Sequence, residues 1–152
     1  MSVLPVLLYA FQAVAAAPQV EVRAAHFYAI DVRGAEPVVT ETSVIPHRPE
    51  TSCFGWLLEV GPQKAQVTLR EELRLPSRAG RWTSEPGTTV DPDGAGATTE
   101  LTQDVSEGML AHEWCISPGD PTGAHRVRVY QGDRLLREFN FTVVPEQDRT
   151  AI

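Results

Sequence analysis

Basic charge is scarce in this sequence. Thirteen Lys and Arg stand against 20 Asp and Glu in 152 residues, a formal net charge of −7. A protein that tracks phosphates along a nucleic acid needs clustered positive charge, so this balance argues against a nucleic-acid partner. Cysteine is scarcer still. Two residues are too few for a four-cysteine zinc site or a disulfide-dense miniature fold. The 11 Gly and 12 Pro fall below a low-complexity composition. No stretch sustains a helical period, and no internal repeat is visible. Gly-X-Ser-X-Gly, the phosphate loop, the dinucleotide fingerprint and Cys-X-X-Cys are all missing. No pattern implies a cofactor, and the expectation is a protein that is not an enzyme.

One absence is local. Residues 1–17, MSVLPVLLYAFQAVAAA, carry no charged side chain. An apolar run from Val3 to Phe11 followed by small residues is the order of a secretory signal. Pro18 would hinder cleavage after Ala17, so the expected cut follows Ala15 or Ala16. No Lys or Arg precedes the run, which leaves only the amino terminus as positive charge. An uncleaved anchor is the rival reading, but the run is short of the roughly 20 apolar residues that span a bilayer, and Pro5 and Gln12 interrupt it. A buried segment of the fold is a third. The expected organisation is a signal peptide over 1–16, a β-sandwich domain over 18–145 and a disordered tail over 146–152. Such a protein would be periplasmic or secreted, without a stable membrane span after cleavage.

What is present after Pro18 is a series of β-branched and aromatic runs punctuated by Gly, Pro and Asp. Eight strands are expected: 20–32, 37–45, 52–60, 65–75, 98–104, 109–116, 125–131 and 135–144. Runs of this length between turn signals point to an all-β sandwich or barrel. Residues 77–97 read as a long connection with room for a short strand around 81–83. Within it, Asp91-Pro92-Asp93-Gly94 resembles the start of a calcium loop, but Ala95 and Thr102 stand where that loop needs oxygen ligands. A Pro-Asp-Gly turn is the better reading. Gln131-Gly132-Asp133-Arg134 predicts a tight hairpin. Val127 and Phe139 can both face the core across a two-residue loop only if a bulge falls within 136–138. A three-residue loop would also pair the strands, at the cost of turning Arg137 inward.

Alternation puts Phe54, Trp56 and Leu58 on one face of their strand, and Leu110, Trp114 and Ile116 on one face of theirs. Cys53 and Cys115 then fall on the outward faces. They can bond if the two strands are neighbours in a single sheet. An exported protein favours that disulfide; in a cytosolic one, two thiols would be the better reading. The bond would close a span of 62 residues, worth about 4 kcal/mol in the chain-entropy account.

Other candidates weigh less. His26, His47, His112 and His125 lack metal-ligand spacing, though His112, His125 and Glu113 could assemble a zinc or copper site from separate strands. Glu71-Glu72 and Glu85 could serve as paired carboxylates, but solvated strand edges explain them as well. Asn140-Phe141-Thr142 is formally a glycosylation sequon. Arg126, Arg128, Arg134 and Arg137, with Glu138, read as a solvated face. Trp82, beside Arg81 in the irregular connection, is the best candidate for an exposed recognition aromatic.

Several motifs carry a resemblance. They are Ser43-Val44-Ile45-Pro46, Phe54-Gly55-Trp56, Gln66-Val67-Thr68-Leu69 with Leu75-Pro76, and Thr88-Thr89-Val90 before Asp93-Gly94. Then come His112-Glu113-Trp114, Gly119-Asp120-Pro121-Thr122-Gly123, and Tyr130 with Phe139-Asn140-Phe141-Thr142-Val143. Through these, Val44 to Val144 resembles a group of uncharacterised bacterial exported proteins with immunoglobulin-like β-sandwich domains. It is also distantly similar to the bacterial family called domain of unknown function 3859. The resemblance implies a single antiparallel immunoglobulin-like sandwich and brings no catalytic residues; Cys53 and Cys115 are not part of it. The function expected is a non-catalytic binding or assembly module of the bacterial envelope, whose partner is another envelope or extracellular protein. A sheet edge or the 77–97 connection would do the binding. The alternative is a periplasmic metal carrier or envelope enzyme built on His112, His125 and Glu113.

Overall fold

The computed structural model describes residues 18–83 and 85–146. The expected signal segment and its cleavage site lie outside the described residues, as does the expected tail beyond Glu146. Among the described residues there are ten strands: β1 (Val22–Asp31), β2 (Val38–Glu41), β3 (Val44–His47), β4 (Ser52–Val60), β5 (Gln66–Arg74), β6 (Thr88–Val90), β7 (Gly96–Asp104), β8 (Met109–Cys115), β9 (Gly123–Gln131) and β10 (Arg134–Pro145). They form a four-stranded sheet, β2-β1-β4-β8, and a six-stranded sheet, β3-β10-β9-β5-β7-β6. Every pairing is antiparallel except β3 with β10. No helix among the described residues is long and apolar enough to cross a membrane.

The faces follow from alternation. Phe54, Trp56 and Leu58 of β4, with Leu110 and Trp114 of β8, turn toward Val67, Leu69 and Leu73 of β5 and Val127 and Val129 of β9, and all are buried. Phe27 and Phe54 of the first sheet meet Phe141 of the second, with ring centroids 4.6 and 4.7 Å from it. A core of this kind supplies the driving force at about 25 cal/mol per Å² of apolar surface removed from water.

The strand count exceeds eight for two reasons. The run expected at 37–45 divides into β2 and β3, which lie in different sheets. The chain leaves β1 at Thr42, whose N–H donates to the Phe27 carbonyl at 3.1 Å, and joins β10 at Ser43, whose carbonyl accepts from Thr142 at 2.8 Å. One chain segment thereby closes an edge of both sheets. The short strand of the connection lies at Thr88–Val90 rather than 81–83. There β-branched side chains pair with β7, and the Thr88 and Thr99 hydroxyls meet at 2.8 Å.

The last hairpin has its two-residue loop, Gln131 opposite Arg134, with Gly132 at φ +57°. Register shifts by one between Leu135 and Arg137, so Leu136 is the extra residue. That bulge lets Val127 pair with Phe139 on the core side. The Asp91–Gly94 turn also forms: Gly94 sits at φ +68°, and its N–H donates to Asp91. Both turn carboxylates are bound to Arg74. Glu146, placed by the sequence reading in the tail, is held by Arg48 at 2.9 Å.

Candidate functional site

Among the described residues, Glu71 is the one acidic side chain of the core. It follows Leu69 and precedes Leu73 on the inward face of β5, and it is fully buried. The expectation of a solvated edge is therefore corrected. What makes the burial tolerable is a set of N–H groups from the opposite sheet. Trp114 Nε1 donates to Oε1 at 2.6 Å, and Trp56 Nε1 donates to Oε2 at 2.5 Å. His112 Nδ1 lies 2.9 Å from Oε2. A buried charge stripped of such partners costs several kcal/mol. Burial, the largest single influence on His112, pushes its pKa down. The hydrogen bond and charge of Glu71, with the charges of Glu85 and Glu113, outweigh it and leave the pKa raised above 6.5.

Above this network runs β8, an edge strand of its sheet. The Ile116 N–H donates to Ser52 on β4, which sets the alternation. Residues 110, 112, 114 and 116 bond inward to β4, while 111, 113, 115 and 117 present N–H and C=O to the open side. Two of these four are already occupied. Gln103 reaches from β7 and places its amide against Ala111, donating to the carbonyl at 2.6 Å and accepting from the N–H at 3.1 Å. Asp120 Oδ2 accepts the Ser117 N–H at 2.7 Å. Between those caps, Glu113 and Cys115 are exposed, and among the described residues their outward backbone groups have no partner.

Beside this stretch lies a cleft of about 220 Å³. Phe54, Leu75, Trp82 and Trp114 form its apolar wall, and Arg81, Glu85, Glu113 and Asp120 its polar one. Trp82 is not the exposed aromatic expected: it is half-buried against the core, with its Nε1 donating to the Gly94 carbonyl at 3.0 Å and its ring edge-on to Trp114. Arg81 beside it is exposed at the cleft. Burial raises the Asp120 pKa, against the Ser117 N–H and the charge of His47.

Cys53 and Cys115 are directly opposed on β4 and β8 and joined by a disulfide, with Cα atoms 3.9 Å apart. The neighbour-strand geometry read from the sequence holds, although Cys53 itself is buried on its outward face while Cys115 is exposed. In the next row Tyr28 and Glu113 close over Gly55, where a Cβ would come within 2.9 Å of Glu113 Cγ. Burial, followed by the charge and hydrogen bond of Glu113, raises the Tyr28 pKa.

The metal alternative is not assembled. His112 binds Glu71 on the core side, and His125 is buried beside Phe141 with Nδ1 against the Gly123 carbonyl at 2.9 Å. Burial lowers the His125 pKa, and the His47 charge adds to that. Among the described residues no group of three or more His, Cys, Asp or Glu side chains could hold a metal ion. Asn140 of the sequon is exposed, and Arg128 pairs with Glu138 at 2.6 Å on the solvated face. Sequence reasoning misplaced Glu71 at a solvated edge and missed Gln103. The signal for Glu71 was its parity with Leu69 and Leu73; Gln103 carries none.

The chain superimposes on the crystal structure of an immunoglobulin-like protein from Pseudomonas aeruginosa with a TM-score of 0.56 and 23% identity, over 86% of this chain and 100% of that one. That likeness establishes an immunoglobulin-like fold and nothing further. No curated protein sequence matches the chain. The PM0630 beta sandwich domain matches residues 25–144, spanning β1 to β10 and both halves of the Glu71 network. By that match the chain belongs to the PM0630 beta sandwich domain family.

Proposed function

We propose that this protein is an exported, non-catalytic binding or assembly module of the bacterial envelope, and that it takes an extended segment of another protein at β8. The observation that carries the reading is the edge itself. Neighbouring edge groups at Ala111 and Ser117 are capped by side chains, yet Glu113 and Cys115 between them are left open beside an apolar cleft. Proteins normally blunt exposed edges because they template pairing with another chain. A short open stretch between two caps fits strand addition, in which main-chain bonds give affinity and a pocket gives selectivity. The disulfide and the uncharged start support the exported location. The His112 imidazole is engaged across the core by the buried Glu71 carboxylate, which favours binding over turnover. The more distant likeness to domain of unknown function 3859 rests on turns and core positions and adds no activity.

Photo-crosslinking in the exported protein tests this, with the crosslinker at position 113 and a control at Glu59, an exposed site on the same outer face. A discrete protein adduct from position 113 and none from 59 is expected. Intact mass should show removal of the first 15 or 16 residues and a change with reductant. Equal labelling from both positions, or a mass retaining Met1–Ala15, would overturn the reading.

A further inference from the structure

Resting on the strand-addition reading, the geometry points to the chemistry of the segment that β8 accepts: an extended run in which a cationic residue directly follows an apolar one. Successive residues of an added strand face opposite sides of the sheet. Glu113 and Cys115 point to the outer face, while Trp114 points inward to the wall it shares with Trp82. In an antiparallel addition, the residue opposite Trp114 therefore enters the cleft, and those opposite Glu113 and Cys115 lie outside.

The cleft residue meets indole and phenyl surface, so an aliphatic side chain of Val or Leu size suits it. Its neighbour on the outer face stands directly across from the Glu113 carboxylate, at the cross-strand distance where opposite charges attract and like charges repel. Charge around the opening has the same sign. Glu85, Glu113 and Asp120 line it against one cation, Arg81, on a chain of net charge −7. Such a surface draws a basic segment and disfavours an acidic one. Length is bounded as well. With Ala111 and Ser117 already capped, the open edge offers the N–H and C=O of two residues, so about three residues of the partner are read. Opposite Cys115, Trp114 and Glu113 in that order, the preferred run is a small residue, Val or Leu, then Arg or Lys. The occupant is a basic extended segment of a partner protein.

The test titrates the folded, disulfide-bonded protein by NMR with three blocked hexapeptides, Ser-Thr-Val-Arg-Thr-Ser, the same with Glu for Arg, and the same with Pro for Val. Saturable shifts at the Glu113 and Cys115 amides and at the Trp82 indole are expected with the Arg peptide. The Glu peptide should bind at least tenfold more weakly, and Glu113→Lys should invert that preference. Glu113 is exposed, so the variant keeps the core. Equal binding of the Arg and Glu peptides, with the Pro peptide silent, would overturn the partner chemistry while leaving strand addition standing. No shift with any peptide at millimolar concentration would overturn both.

Discussion

At the residue scale, Glu71 is the side chain on which the interior turns. Two indole N–H groups can only donate, so both of its oxygens must accept. Glu71→Gln keeps the shape but supplies one accepting oxygen and two new N–H groups that face existing donors. A loss of about 3 kcal/mol is expected, the scale for breaking a buried charged network. A lower urea midpoint with unchanged slope would measure it. His112 makes the network pH-dependent. Its folded-state pKa is raised above 6.5, so the stability it contributes is fully present below that value and is lost as pH rises through the raised one. The stability difference between wild type and His112→Gln should shrink from pH 6 toward pH 9. Taking the difference matters because buried His125, with its lowered pKa, works in the opposite sense on acidification. A difference that grows with pH would show His112 to be held neutral.

At the element scale, β8 is an edge controlled by a glutamine from the other sheet. Gln103→Ala frees the Ala111 N–H and C=O and extends the open stretch toward Met109, which is exposed. The variant should self-associate more strongly than wild type in sedimentation velocity. Unchanged association would show that the cap does not control the edge. Elements were also where the sequence was most legible. Alternation named the buried faces of β4, β8 and β9, and the parity conflict in the last hairpin placed its bulge within 136–138, where Leu136 carries it. Alternation says which face a residue takes but not what stands across the sandwich. Glu71 shares the parity of Leu69 and Leu73, but its indole partners do not show in that pattern, and so it read as a solvated edge. Trp82 was misread for a related reason: its Gly- and Pro-rich neighbours look like a surface loop, whereas burial comes from Trp114 and Gly94, distant in sequence. The 37–45 run showed no break, because leaving one sheet for another changes the partner and not the local pattern.

At the scale of the whole molecule, two sheets are held by a shared core, by the β2–β3 crossing between them, and by the Glu71 network. The disulfide acts differently, since it ties two strands that are already neighbours and therefore works chiefly on the unfolded chain. Replacing both cysteines by serine should cost about 4 kcal/mol for this loop length. The urea slope should rise, because the uncrosslinked unfolded state exposes more surface. Little change in stability would mean that the unfolded chain is already compact.

The same bond also keeps time. A chain made from its first residue onward completes β1, β2 and β4 while β8 does not yet exist. Those three strands lie within Val22–Val60 and pair with one another, so most of the first sheet is a local structure. Cys53 must then wait, as a thiol, for 62 more residues. The native pair can form only after β5, β6 and β7 have been made and Cys115 of β8 has followed them. A closed native disulfide thus reports that β8 has been made and has met β4, while β9 and β10, which follow Cys115 in the chain, complete the second sheet afterwards.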